Sequence, residues 1–218
     1  MTMRRWSGIA GIAFVVLAFV SPAIQGSVPD TNNRHAVQKF VAFYADKSHN
    51  DQALVSVVLG LIGLFFFAWF LGGLWSSVRG AEGGVTAPTI VVAIGGAAFL
   101  ALGLLAHVFG NVQGVALHFD KDYRAQHLFD PGTAMLLSDL AMGTFLAAML
   151  AMGAATSAAA VVIRRTRVFP VWLAWLGFAI AVFALPVIPP LTFLAALLLA
   201  VWTIAISVLF LTRPEPAV

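Results

Sequence analysis

The sequence has no cysteine and few charges. Without cysteine, the 218-residue chain has no disulfide, no thiolate nucleophile and no thiolate metal ligand. Only 10% of the residues are charged and 61% are hydrophobic, against roughly 25% charged in a typical soluble domain. The formal charge of +3 is low, and the basic residues form no stripe of the kind that binds nucleic acid. The composition therefore indicates a membrane protein with no nucleic-acid partner.

Long uncharged runs predict an all-α integral membrane bundle, a single domain over residues 1–218. About 20 apolar residues cross a hydrocarbon core of roughly 30 Å, and a helix satisfies its own backbone groups there. The runs are too long and too uniformly apolar for barrel strands. The six predicted transmembrane helices are 6–25, 53–78, 88–110, 131–163, 168–185 and 190–211. A tight turn at residues 186–189 is predicted between the last two.

Arginines and tryptophans orient the predicted bundle. Basic residues in short loops favour the cytoplasm, and indoles favour the membrane interface. The loop segments that contain arginine but few acidic residues lie on one predicted side of the membrane. The same side holds Trp6, Trp75, Trp172 and Trp175, so we take it as the inner face. Both termini are therefore predicted to be cytoplasmic in a multi-pass plasma-membrane protein. As an alternative, the first span is a secretory signal cleaved after Ala23.

The first outer loop is predicted to contain an amphipathic helix over residues 34–46. Its apolar side chains recur at i, i+3, i+4 and i+7, namely Val37, Phe40, Val41 and Tyr44. Such a helix lies on the membrane or caps the bundle. The segment 111–130 has a similar spacing of Val112, Val115, Ala116 and Phe119. An ordinary connecting segment is the alternative in both places.

The fourth span has a small residue at every fourth position. The stripe consists of Gly143, Ala147, Ala151, Ala155 and Ala159. Small residues allow a second helix to approach closely in a membrane. We interpret the span as an internal helix of the bundle, and a homodimer seam is the alternative.

Several chemistries are excluded because their residues are absent from the sequence. No lysine lies in a predicted span, and only His107 lies in or beside one, which excludes a retinal Schiff base and a bis-histidine haem site. The chain also lacks the H-E-x-x-H and G-x-S-x-G motifs. Ionisable residues are scarce within the spans, which argues against ion-coupled transport. We predict no cofactor.

The candidate ligand site lies at the outer ends of the third and fourth spans. His107 and Asp139 lie at similar predicted heights near the outer boundary, where an imidazole and a carboxylate on neighbouring helices could pair. Asn111 and Gln113 could extend this pocket. Alternatively, both ionisable residues simply occupy the ends of their helices.

The following loop holds weak candidates for metal ligands. Imidazole and carboxylate ligands suit zinc or another divalent ion, and the loop offers His118, Asp120, Asp122 and His127. Their spacing matches no established motif, and a hydrated surface loop is the alternative. Asp130 and Pro131 are typical of a helix N-cap and first helical position.

Four short stretches carry a resemblance to a known family. They are VQKFVAFYAD at 37–46, LGGLW at 71–75 with Arg79 and Glu82, DPGTA at 130–134 with Leu140, and PVWLAWLG at 170–177. With them the chain resembles a family of small actinobacterial polytopic membrane proteins that forms a domain of unknown function. The resemblance implies a bacterial plasma membrane, and it supplies no catalytic residues.

Three classes of function are compatible with these features. We favour a non-enzymatic protein that binds a membrane lipid or small ligand, or serves as an accessory subunit, at its outer face. The alternatives are a passive small-molecule transporter and an outer-face enzyme that uses His107, His118 and Asp139. The first is favoured because the polar residues are few, lie near the surface and form no motif.

Overall fold

Helices are the regular secondary structure of the described part of the chain. The computed structural model describes residues 2–119, 129–185 and 189–213, and these contain helices and no strand. The helices are α1 (Met3–Gln25), α2 (Ala36–Ala45), α3 (Lys47–Ala81), α4 (Ala87–Phe119), α5 (Pro131–Thr166), α6 (Val171–Phe183) and α7 (Pro189–Thr212). The predicted all-α class is confirmed.

Five helices, α1, α3, α4, α5 and α7, are long and apolar enough to cross a membrane. This fits a polytopic membrane protein. Three of them, α3, α4 and α5, have 35, 33 and 36 residues, or about 50 Å at 1.5 Å per residue. They are therefore longer than a hydrocarbon core of roughly 30 Å.

The predicted fifth span is shorter than expected, so the count of six is not confirmed. Helix α6 has 13 residues, which is about 20 Å. The preceding chain cannot continue the helix backwards, because Arg167 has a positive φ of 56° and Pro170 has extended backbone at the N-cap. Proline also disfavours helical backbone at the residue before it. The helix therefore begins at Val171 instead of residue 168.

The chain divides into two compact units. The first unit comprises residues 1–15, 64–102 and 146–218, and the second comprises residues 16–63 and 103–145. Helices α1, α3, α4 and α5 contribute residues to both units.

Aromatic side chains form the core of the first unit. Phe67, Phe70, Trp202 and Phe210 are completely buried. The Trp202 Nε1 donates a hydrogen bond of 3.0 Å to the Leu173 carbonyl oxygen, which satisfies the buried indole N–H. The ring centroid of Phe70 in α3 lies 6.5 Å from that of Trp202 and 6.2 Å from that of Phe210, so aromatic side chains of α3 and α7 meet inside this unit.

The small-residue stripe of α5 packs within the chain over part of its length. A Cβ on Gly95 of α4 would lie 2.7 Å from the Ala151 carbonyl oxygen and 3.1 Å from the Ala155 Cβ. Ala155 and Ala159 are buried, whereas Gly143 and Ala147 are exposed. The interpretation as an internal helix therefore holds around Ala155, and the other end of the stripe is uncovered.

A second core lies in the second unit, around α2. Its buried members are Phe40, Tyr44, Leu117 and Ala134, and they are surrounded by Val28, Phe43, Phe129 and Met135. A helix was predicted at this place, and of its predicted apolar face only Phe40 and Tyr44 are buried. Ala36 is buried with the two rings, whereas Val37 and Val41 are 51% and 44% exposed. The two large rings occupy the buried side, and this turns both valines outward.

The apolar spacing of segment 111–130 falls on an exposed side of the helix where the segment is described. Helix α4 continues to Phe119, and Val112 and Phe119 are exposed. Asn111, Gln113 and Leu117 are buried instead. Residues 120–128 lie outside the described residues.

The predicted helix start at Asp130 and Pro131 is confirmed. Asp130 caps α5, because its Oδ2 accepts hydrogen bonds from the backbone N–H and the hydroxyl of Thr133, at 2.8 and 2.6 Å. Together with a bond from the Gly132 N–H, these hold the pKa of Asp130 below its ordinary value.

Candidate functional site

Polar side chains meet where α1, α3 and α4 contact one another in the second unit. We call this set the polar seam, and its members are Ser21, Gln25, Asn50, Ser56, His107 and Asn111. The Ser21 hydroxyl lies 2.9 Å from the Ser56 carbonyl oxygen and 3.0 Å from its hydroxyl. The Gln25 amide donates to the Gly110 carbonyl oxygen at 3.0 Å. Side chains of α1 therefore join it to both other helices.

Glycines bring α3 and α4 close together along the seam. A Cβ on Gly60 would lie only 2.5 Å from the His107 ring, so the ring occupies the space that the missing side chain leaves. A Cβ on Gly114 would lie 2.6 Å from the Ala53 Cβ. These two contacts set the antiparallel register of the helices in this unit.

Two buried amide oxygens of the seam have no hydrogen-bond donor among the described residues. The Nδ2 of Asn50 donates to the Tyr44 carbonyl oxygen at 3.1 Å, and the Nδ2 of Asn111 donates to the His107 carbonyl oxygen at 2.9 Å. Both side chains are at least 97% buried, and neither Oδ1 accepts a bond. Ordered water commonly satisfies such groups. The seam can therefore accept hydrogen bonds from water or another small donor.

The structure brings together only part of the predicted ligand site. His107 and Asn111 lie in the seam, and Gln113 is buried nearby on the same helix. Asp139 is exposed, and its Oδ1 accepts a hydrogen bond of 2.8 Å from the Thr31 hydroxyl. Within the described ranges, no hydrogen bond or ion pair joins His107 to Asp139. The ring lies against Gly60 instead, because the glycine makes room for it there.

Of the weak metal candidates, only His118 lies within the described residues. Its Nδ1 is 2.7 Å from the Asp51 Oδ1, so the pair links the first turns of α3 to the last turn of α4. The other three candidates, Asp120, Asp122 and His127, lie outside the described residues. Elsewhere in the described ranges, no three histidine or acidic side chains converge on a point that could hold a metal ion.

Sequence reasoning missed Asp51 as the partner of His118. The two residues are 67 positions apart, and no local pattern connects them. The available signal was the register of an antiparallel pair of helices, because Asp51 lies two residues before Ala53 and His118 lies four residues after Gly114, beyond the contact between Ala53 and Gly114.

Beside α2 lies a shallow cavity of about 480 Å³, which we call the α2 groove. It is lined by Ser27, Val28, Pro29, Lys39, Ala42, Phe43, Asp46 and His49. The lining therefore combines an apolar surface with one lysine, one carboxylate and one imidazole. None of its ionisable residues was predicted to bind a ligand, although Lys39 and Asp46 belong to the stretch VQKFVAFYAD.

His49 is held in one orientation at the edge of this groove. Its ring stacks on Phe43, with 4.1 Å between the ring centroids and 10° between the planes. Its Nδ1 lies 3.0 Å from the Phe43 carbonyl oxygen, which can only accept a hydrogen bond. Nδ1 therefore carries a proton, and Nε2 of the neutral ring is an acceptor.

Asp46 supplies a negative charge to the α2 groove. Its Oδ1 accepts hydrogen bonds from the hydroxyl and the backbone N–H of Ser48, both at 2.8 Å. These bonds lower the pKa of Asp46, and the nearby His49 acts in the same direction. The carboxylate is therefore ionised at neutral pH, opposite in charge to the Lys39 ammonium.

Comparison of the chain with protein-family models, curated proteins and solved structures finds no match. The resemblance to the actinobacterial membrane family therefore stays a prediction.

Proposed function

We propose that the protein is a bacterial plasma-membrane protein that binds a membrane lipid in the α2 groove, without catalysing a reaction. The observation that carries the proposal is the lining of the groove. It joins Val28, Pro29 and Phe43 to the charged Lys39 and Asp46. Its volume of about 480 Å³ falls in the range of ligand sites, about 300–1,000 Å³. An apolar surface with a few polar groups suits an amphipathic ligand.

In the proposed topology α6 is a sixth crossing, and both termini are cytoplasmic. Gly177 of α6 contacts the Thr156 carbonyl oxygen of α5, and Gly153 of α5 contacts Ala181 of α6. These contacts make α6 antiparallel to α5. The guanidinium of Arg213 donates to the Val168 carbonyl oxygen at 3.0 Å, which supports a hairpin of α6 with α7.

Cation–π pairs support the assignment of the cytoplasmic side. Arg79 lies 5.1 Å from the centroid of Trp75, and Arg164 lies 5.0 Å from that of Trp175. Arginine and tryptophan together are typical anchors at a membrane interface. This orientation puts α2 and its groove on the outer face. There α2 would act as an amphipathic helix, and the exposed Val37 and Val41 would contact lipid.

Binding is favoured over catalysis because His49 lacks a nucleophile. A histidine that acts as a general base lies within hydrogen-bond reach of the group it activates. Among the described residues, the only bond of the His49 ring is that of Nδ1 to a carbonyl oxygen. The groove can therefore hold a ligand, and among the described residues no hydrogen bond links the imidazole to a hydroxyl that lines it, such as that of Ser27.

A passive transporter is the second candidate, and the polar seam favours it. The unpaired Oδ1 atoms of Asn50 and Asn111 would be satisfied by water that enters the seam. Solute flux into proteoliposomes would test this candidate, and Asn111→Leu should abolish it. A homodimer or an accessory-subunit contact would use the exposed Gly143 and Ala147 of α5.

Native mass spectrometry of the full-length protein in mild detergent tests the proposed function. Ala42→Trp should fill the α2 groove and remove a bound lipid, because Ala42 lines the groove and is exposed. Ala45→Trp is the matched control, since Ala45 is exposed on the same helix but does not line the groove. A lipid adduct that both variants retain equally, or no adduct in any form, contradicts the proposal.

A further inference from the structure

We propose that the α2 groove binds the headgroup of a zwitterionic phospholipid that carries a primary ammonium, of the phosphoethanolamine class. The inference rests on the proposed function, which it narrows to one class of lipid. It depends on the arrangement of both charges along α2 and on the free acceptor atoms at one end of the groove.

The charges of the groove lie along one side of α2. Lys39, Ala42 and Phe43 lie at i, i+3 and i+4 on one face of α2, and Asp46, the C-cap residue at i+7, follows just beyond the end of the helix. The positive and negative positions are about 10 Å apart along the axis, with the two apolar side chains between them. The flexible stem of lysine can shorten this distance.

A ligand with both charges fits this face better than a ligand with one. A purely anionic headgroup on Lys39 would leave the ionised Asp46 without a cation to pair with. A purely cationic ligand on Asp46 would leave the Lys39 ammonium without an anion. In a phosphoethanolamine headgroup, the phosphate can contact Lys39 while the ammonium contacts Asp46, and the first methylenes of the lipid lie on Ala42 and Phe43.

The carboxylate end of the groove has acceptors for the N–H groups of an ammonium. Ser48 occupies the Asp46 Oδ1, whereas Oδ2 lies 3.9 Å from the His49 Nδ1, beyond hydrogen-bond distance. That Nδ1 donates to Phe43, so the His49 Nε2 is a second acceptor. A primary ammonium can donate to both atoms. A trimethylammonium has no N–H, so phosphatidylcholine should lose these bonds.

Lipid titrations of the delipidated protein in dodecyl maltoside micelles, followed by native mass spectrometry, test the inference. Phosphatidylethanolamine should bind about tenfold more tightly than phosphatidylglycerol or phosphatidylcholine with the same chains, as expected for one charge-assisted hydrogen bond at the lower end of its usual range. Asp46→Asn should remove this preference and leave the fold intact, because asparagine also caps helices. Lys39→Gln should weaken the binding of both phosphatidylethanolamine and phosphatidylglycerol. The control Lys47→Gln should leave the binding of both lipids unchanged.

The outcomes separate this inference from the proposed function. Phosphatidylglycerol could instead bind more tightly than phosphatidylethanolamine, with no effect of Asp46→Asn and a loss of binding in Ala42→Trp. That result overturns the zwitterionic headgroup and keeps lipid binding in the groove. If every lipid binds the Ala42→Trp variant as tightly as the wild type, both the headgroup inference and the proposed lipid binding in the groove are overturned. Soluble phosphoethanolamine should compete with the bound lipid, and equal competition by inorganic phosphate would overturn the role given to the ammonium.

Discussion

Replacing Gly95 with alanine should force α4 away from α5 within the first unit. The new Cβ would lie 2.7 Å from the Ala151 carbonyl oxygen and 3.1 Å from the backbone nitrogen of Ala155. Close C–H···O contacts between helices are about 3.3 Å or longer, so the helices would separate by about 0.6 Å. Both neighbouring atoms belong to the backbone and cannot rotate out of the way.

Two effects of opposite sign determine the result. Overpacking of this kind costs about 1–3 kcal/mol, whereas alanine is about 0.8–1.0 kcal/mol better than glycine inside a helix. Gly143→Ala is the matched control, because Gly143 lies on the stripe of α5 and a Cβ there would meet nothing within 4 Å. The control should gain only the stabilisation that alanine gives over glycine inside a helix. The two variants should therefore differ by about 1–3 kcal/mol, the packing term.

Reversible unfolding in mixed micelles of dodecyl maltoside and SDS, followed by circular dichroism, measures both free energies. Gly95→Ala should unfold at a lower SDS fraction than the wild type, and Gly143→Ala at an equal or higher one. Equal free energies of unfolding for the two variants would refute the close contact of α4 with α5.

Three further predictions concern topology, acid stability and an ion pair. In intact cells, a cysteine at Ser48 should react with an impermeant maleimide and one at Thr166 should not; the reverse pattern would invert the proposed orientation. The pKa of Asp130 is lowered in the folded state, so its contribution to stability is complete at neutral pH and is lost as the pH falls below its unfolded value of about 3.9. Asp130→Asn should flatten the fall of Tm in that range, and an unchanged pH profile would contradict the cap. A double-mutant cycle with Asp51→Asn and His118→Gln should give a coupling energy of about 0.2–1 kcal/mol, as for other partly exposed pairs, and additivity would show that the 2.7 Å contact contributes nothing.

The sequence alone was sufficient for the helical class and for most of the long helices. Helix formation in a membrane depends on local properties, namely run length and the absence of charge. The cap at Asp130 was also predictable, since its partners are two and three residues away. The shortening of α6 had a local cause in Pro170. The hydrophobic pattern of residues 168–185 did not predict this shortening, because the apolar run extends beyond the ends of the helix.

Only the tertiary structure decided which polar side chains meet. Asp139 contacts Thr31, which is 108 positions away, and His107 lies against Gly60. Predicted heights placed His107 and Asp139 at one level but could not give the rotation of either helix about its axis. That rotation depends on where glycines allow two backbones to approach, and on which large side chains, such as Phe40 and Tyr44, fill the space between helices. Both are properties of pairs of helices, and a single hydrophobic pattern contains no information about them.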